Sequence, residues 1–204
     1  MIRFLMVCGK ESPWQPGICT EEVITYMADI KKALLIVDVQ NDFVTGSLGS
    51  KHALKTVVPN IVELAKQFDK EDIYTTQDTH FTNYLHTQEG KRLPVKHCIS
   101  GTEGWSLVPV IDALVINDDK HRQIKTVFGL NPDALFTLFL GYQEVHICGL
   151  CTDICVISNA LGFKSHSHLS HIRIVVHENC CGGTSKEAHD AAITVMKSCQ
   201  IDIE

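Results

Sequence analysis

The stretch "ALLIVDV", residues 33–39, is a continuous apolar run that closes on an acid, Asp38. A strand with one wet face alternates apolar and polar residues. A run without alternation is what a strand buried on both faces requires. "EVHICGL" (144–150) has the same character, and "TDICVISNALGF" (152–163) follows it at once with helical spacing and Thr152 as the expected cap. Two doubly buried strands, one running straight into a helix, point to helices packed over a parallel sheet.

The rest of the chain repeats that alternation. "LKTVVPNIVELAKQF" (54–68) has helical spacing interrupted by Pro59, and "DIYTTQD" (72–78) reads as a second strand. Residues 79–104 form a long loop with several histidines, and loops of that length inside a domain are usually functional. "RQIKTV" (122–127) is a strand, and 131–141 is a helix with Asn131 as cap, Pro132 in its first turn and Gly141 as stop. "IRIVVHENC" (172–180) is a further strand. The capping box Thr184-x-x-Glu187 opens a helix over 184–199, and "QIDIE" supplies a final strand. The expectation is an α/β fold in three layers, a mostly parallel central sheet with helices on both faces. It occupies residues 32–204. Residues 1–31 read as an N-terminal extension: "ESPWQPG" is turn-rich, Thr20 could cap a short helix, and Met27 resembles a natural start. No chemistry is assigned to them.

Composition narrows the function. Hydrophobic residues make up 45% and charged residues 21%, and the formal charge is −6 with no basic block. Phosphate backbones need a Lys/Arg surface, so nucleic acid is not an expected partner. No apolar run approaches the roughly 20 residues of a membrane span, so no membrane is expected either. Nine cysteines, an odd number clustered in apolar runs, fit reduced thiols and a cytoplasmic protein better than a secreted disulfide framework. Monomer and homo-oligomer both remain open.

In an open parallel sheet, ligands bind beyond the carboxyl ends of the strands. That rule selects Asp38, Asp78, a residue near Lys125 and the turn from Leu150 to Cys155. Three thiols lie in that last region. Cys148 sits within a strand and reads as a small core residue. Cys151 lies in the turn. Cys155 lies in the first turn of the following helix, where unpaired N–H groups favour an anion and lower a thiol pKa. A metal cluster of the three fails on geometry, because a strand and a helix separate the first from the last. Asp38, Lys125 and Cys155 thus make an acid, a cation and a nucleophile on three strand ends. Asp78 and His80 stand two apart on an extended segment, so they share a face. With His86 and His97 downstream they could hold a divalent ion and leave room for water or substrate. "HSHLSH" (166–171) reads as a polar surface loop.

"LLIVDVQNDF", "QDTH", "HCISGTEGW" and "GLCTDICV", in this order, resemble the isochorismatase-like cysteine hydrolases, and within them the nicotinamidases. The resemblance covers about residues 32–204. It implies a catalytic triad of Asp38 as general base, Lys125, and Cys155 as nucleophile. It implies a cis peptide between Leu150 and Cys151, with the backbone N–H groups of Cys151 and Cys155 as the oxyanion hole. It implies a divalent metal, zinc first and iron or manganese as alternatives, on Asp78, His80, His86 and His97, holding a pyridine nitrogen of a small-molecule amide. The implied reaction converts nicotinamide, or a close aromatic amide, to the acid and ammonia through a thioester. The alternative is a metal-independent hydrolase of another amide, a ureido compound or a vinyl ether. Phe43 occupies the aromatic position after the acid. Pro94 stands in the run "LPVKHC" where an aromatic often precedes the last metal histidine, and Phe128 is the one aromatic soon after Lys125, so a pocket that is wider or shaped for another amide is expected.

Overall fold

The structure, a computed structural model, describes residues 30–204. The expected helix behind Thr20 and the start at Met27 lie outside the described residues. β1 (Lys32–Val37) is buried at every residue after Lys32, as its unbroken apolar run requires. It sits at the middle of a six-stranded sheet of order β3-β2-β1-β4-β5-β6. Its neighbours are β2 (Ile73–Asp78) and β4 (Glu144–Leu150). β3 (Arg122–Lys125) lies outside β2, while β5 (Arg173–Gly182) and β6 (Asp202–Ile203) extend the other side. Every pairing is parallel.

The helices are α1 (Asn41–Val44), α2 (Val58–Ala65), α3 (Gln88–Arg92), α4 (Pro109–Asp112), α5 (Pro132–Phe139), α6 (Ile157–Ser165) and α7 (Lys186–Ser198). α2 and α4 pack together, and α6 packs with both α5 and α7. The direction in which successive strands are added reverses between the β1–β2–β3 half and the β4–β5–β6 half, so right-handed crossovers put these two groups on opposite faces. The crevice at that reversal, between the carboxyl ends of β1 and β4, is where ligands bind in such sheets.

Gly149 makes the close approach at the reversal. It has φ of +125° and pairs with Val37, and a Cβ there would collide with the Val37 carbonyl oxygen. A glycine supplies both the backbone freedom and the space.

Several local expectations need adjustment. Pro59 does not interrupt its helix. The segment opens with a π turn (Ala53–Val57) and continues as α2, with Pro59 its second residue, so the proline falls where the helical pitch changes and the chain stays helical across it. Thr184 is not the cap of α7. Ser185 Oγ accepts from Ala188 N at 3.1 Å, while the Thr184 N–H and hydroxyl both go to Asp153. Thr152 likewise is the first residue of a π turn (Thr152–Val156) rather than its cap, and its hydroxyl pairs with His189 Nδ1 at 2.8 Å. The long loop contains α3, capped by Thr87, whose Oγ1 accepts from Gly90 N at 3.0 Å.

Candidate active site and metal centre

The carboxyl end of the sheet gathers the selected residues into one crevice. Asp38 follows β1 with φ of +51°, a left-handed conformation that a short acid tolerates better than most residues. Its side chain is fully buried. Oδ1 accepts from the Thr76 hydroxyl at 2.6 Å, and Oδ2 lies 2.6 Å from Lys125 Nζ. Lys125, the last residue of β3, is also 3.5 Å from Cys155 Sγ and 3.6 Å from Asp78 Oδ1. One buried ammonium therefore touches the acid, the thiol and the first metal-ligand candidate.

Electrostatics follow from that arrangement. Burial pushes the Asp38 carboxyl above the usual carboxylate range, with Lys125 pulling it back. Burial opposes the Lys125 charge, but the facing Asp38 and Asp78 carboxylates override it and keep the lysine protonated. The Cys155 thiol is raised well above the ordinary value, by burial and then by the Asp38 charge, with Lys125 acting the other way. This corrects the expectation from position in the first helical turn. Desolvation and an adjacent carboxylate outweigh the helix terminus, so the resting thiol keeps its proton.

The two other cysteines behave as expected. Cys148 is fully buried in the core, and Cys151 is partly exposed in the turn after a cis Leu150–Cys151 peptide. Among the described residues, the three thiols form no metal-ligating group.

Asp78, His80 and His97 do come together, with one ligand atom of each within 4.8 Å of the others. His80 Nε2 is 2.9 Å from Asp78 Oδ2, and His97 Nε2 is 3.6 Å from the same oxygen. Glu89 Oε1 stands beside the two histidines, 3.6 Å from His80 Nε2 and 3.7 Å from His97 Nε2. Two observations show that this set fits a divalent ion. His80 Nε2 is buried without a hydrogen-bond partner in proper geometry among the described residues. His97 Nδ1 lies 2.9 Å from the Val95 carbonyl, which can only accept. The proton is therefore on Nδ1, and Nε2 offers its lone pair to the cluster, the arrangement seen in metal-ligating histidines.

His86 does not join. It ends an exposed 3₁₀ turn (Tyr84–His86) whose buried residue is Tyr84. Tyr84 packs its ring on His80 at 4.7 Å and on His97 at 5.1 Å. The turn of α3 then brings Glu89, not His86, to the cluster.

Two further residues hold the centre in place. Gln40 is fully buried and clamps the Asp78 backbone from both sides, accepting from its N–H at 2.8 Å and donating to its carbonyl at 2.9 Å. Asp42 Oδ2 accepts from Cys98 N at 2.8 Å and so anchors the loop that carries His97. Both belong to the "DVQNDF" stretch. Four polar residues crowded into six positions directly after a wholly apolar strand are the signal that could have marked them.

Asp78, Glu89, His97, Cys151 and Cys155 open together on a cavity of about 420 Å³. Phe43, Leu48, Leu93, Phe128 and Ile154 form its apolar walls. The Phe43 ring also lies 5.5 Å from the His97 ring.

An isochorismatase domain model matches residues 32–203. The chain belongs to the isochorismatase family. It is 28% identical over 193 residues to nicotinamidase 1 of Arabidopsis thaliana, covering 84% of this chain and 77% of that protein. A crystal structure of a nicotinamidase/pyrazinamidase from Bacillus subtilis superposes with a TM-score of 0.69 and 28% identity, over 85% of this chain and 98% of that one. A pyrazinamidase of Pyrococcus horikoshii in complex with zinc gives a TM-score of 0.65 and 25% identity, over 85% and 98% of the two chains.

Proposed function

We propose that this isochorismatase-family protein is a metal-dependent amidohydrolase that converts nicotinamide, or a close aromatic amide such as pyrazinamide, to the acid and ammonia. One observation carries the reading. An oxygen/nitrogen metal set and a nucleophilic thiol face the same apolar-walled cavity, joined through Lys125. The similarity to nicotinamidases and pyrazinamidases, one of them in complex with zinc, supports it. The same reading implies a cytoplasmic enzyme of NAD salvage, with residues 32–204 as the hydrolase unit.

Asp78, His80, Glu89 and His97 would hold the ion. When bound, a divalent ion there supplies a Lewis-acid anchor for a ring nitrogen, with zinc best suited to two imidazoles and carboxylate oxygens, and iron or manganese as alternatives. Phe43 and Phe128 flank the ring. Asp38 takes the Cys155 thiol proton, and Lys125 keeps the resulting charges paired. The Cys155 sulfur attacks the amide carbon, and the backbone N–H groups of Cys151 and Cys155 receive the oxyanion. Asp38 returns its proton to the leaving nitrogen. The C–N bond breaks, ammonia departs and a thioester remains. Water then adds to the thioester as Asp38 takes a proton from it, and the restored thiol leaves as the acid is released.

The test is ammonia release from nicotinamide and pyrazinamide by zinc-loaded protein, with and without chelator. Release that chelation stops and zinc restores is the expected result. A zinc-loaded, folded protein that releases no ammonia from either amide would overturn the assignment.

A further inference from the structure

Away from the catalytic crevice, toward the amino-terminal start of β4, the sheet builds a second cluster of ligating groups. Along the β4–β5 ladder Ile147 pairs with Val176, but Gly149 pairs with Cys181. β5 therefore bulges between Val176 and Cys181, and His177 is the first residue of the bulge. A bulge releases its residues from the ladder and re-aims their side chains. Here it brings the His177 ring edge to edge with the His146 ring, with centroids 5.1 Å apart and planes 20° apart. His177 Nε2 stands 2.8 Å from His146 Nδ1.

The other nitrogen of His146 fixes the tautomer. His146 Nε2 is 3.2 Å from Glu144 Oε2, and a carboxylate accepts. Nε2 thus carries the proton, and Nδ1 turns its lone pair toward His177. β6 brings the third group. Glu178 N donates to the Glu204 carbonyl at 2.7 Å, and Glu204 N donates to the Val176 carbonyl at 3.0 Å, which sets Glu204 against the bulge. A Glu204 carboxylate oxygen and one nitrogen each from His146 and His177 lie within 4.8 Å of one another.

We propose that His146, His177 and Glu204 form a second divalent transition-metal site, separate from the Asp78–His80–His97 cluster, which staples β6 to β4 and β5. Two imidazoles and a carboxylate suit zinc and its neighbours in the first transition row. Nitrogens bonded to one ion at about 2.1 Å stand roughly 3.0–3.4 Å apart, so the two rings part by a few tenths of an ångström and swing until both lone pairs converge on the ion. His177 moves its proton from Nε2 to Nδ1 as the ion enters. Glu144 behind His146 is the carboxylate that orients a metal-ligating histidine. Arg173 steadies the acids, with Nη1 3.3 Å from Glu144 Oε1, Nη2 3.3 Å from Glu204 Oε1 and Nε 2.6 Å from Asp202 Oδ2. β6 spans only Asp202–Ile203 at the sheet edge, so a bond to a neighbouring strand stabilises it directly.

The experiment titrates chelator-treated full-length chain with zinc chloride and counts bound ions by equilibrium dialysis and elemental analysis. Wild type should bind two ions per chain. His80→Ala should keep one, and that ion should raise the melting temperature. Adding His177→Ala to His80→Ala should remove both the ion and the thermal shift. Glu204→Gln, a near-isosteric change on an exposed residue, should weaken the retained ion at least ~10-fold without altering the zinc-free melting temperature. It guards against misreading a folding defect in the His177 variant. His80→Ala protein that binds no zinc overturns the site. So does one whose ion survives both His177→Ala and Glu204→Gln unchanged.

Discussion

Lys125 and Asp38 form an ion pair of 2.6 Å in which neither side chain meets solvent. Such a pair is not a strong source of stability by itself, because desolvation offsets most of the Coulomb attraction. Removing one partner, however, strands the other charge. Asp38→Asn should therefore have two effects. Turnover should fall by ~10² or more through loss of the base. Unfolding free energy should drop by about 3–5 kcal/mol, because Lys125 loses its closest counter-charge. Ammonia release and urea denaturation on the same preparation check both. A variant with wild-type turnover would remove Asp38 from the chemistry.

The acid limb of the pH–rate profile reports the same pair. Asp38 must be ionised to accept a proton, and burial has raised its pKa above the ordinary 3.8. The limb of kcat/KM should accordingly lie above that value, with activity lost as pH falls through it. Lys125 acts in the lowering direction, so Lys125→Met should push the limb further up as well as slow the enzyme. A limb at the free-carboxylate position, unmoved in Lys125→Met, would show that Asp38 does not set the profile.

Cys155→Ala should fold as wild type and lose at least ~10³-fold in activity, since covalent catalysis disappears. Cys148→Ala and Cys151→Ala keep the nucleophile and should keep most turnover. Alkylation order is a separate matter. Cys199 is exposed while Cys155 is buried with a raised pKa. Iodoacetamide at neutral pH should label Cys199 ahead of Cys155, and peptide mapping reads the order. Cys155 labelling first in the free protein would mean that its thiol is ionised at rest.

Gly149→Ala tests the packing at the sheet reversal. The backbone there has φ of +125°, and the added methyl would meet the Val37 carbonyl. Strain of about 1–3 kcal/mol and overpacking of similar size both act against the fold. The melting temperature should fall, and activity should fall with it because Asp38 follows Val37 directly. An unchanged melting temperature would show that β1 and β4 part without cost.

Much of this arrangement is legible in the sequence, for physical reasons that also mark where legibility stops. β4 falls on 144–150 as expected, because double burial leaves a run that is apolar apart from Glu144 and His146. Asp38 and Lys125 can be selected because the carboxyl ends of parallel strands are the only place where such a sheet exposes a crevice. The reading fails where side-chain direction depends on short irregular turns. Thr184 has the right residue type for a cap, but its hydroxyl is claimed by Asp153, which lies far away in sequence. Cys155 has the right position for a lowered pKa, but its burial is a tertiary property. Gln40 is invisible as a clamp because its partner is the backbone of another strand.

His86 and Glu89 give the sharpest case and the last prediction. Residue type favours the histidine as a metal ligand, but backbone geometry favours the acid. The 3₁₀ turn at Tyr84–His86 buries Tyr84 against the His80 and His97 rings and leaves His86 exposed. α3 then returns the chain so that Glu89 Oε1 stands 3.6 Å and 3.7 Å from the two histidine nitrogens. Glu89 is partly buried, adds a negative charge to that of Asp78, and stands beside both histidine nitrogens as a fourth donor. The enzyme should bind one divalent ion at this centre, lost in His80→Ala together with activity on nicotinamide. Glu89→Gln should weaken that ion by at least ~10-fold, the least expected for removing a ligating charge. His86→Ala should leave affinity and turnover within about twofold of wild type, as for a surface substitution away from any such feature. Competition with a chromogenic chelator on each variant, in a His177→Ala background so that only this centre is counted, measures the affinities directly. If His86→Ala loses the ion while Glu89→Gln retains it, the loop turns the other way in the metal-bound protein, and the centre is Asp78, His80, His86 and His97 after all.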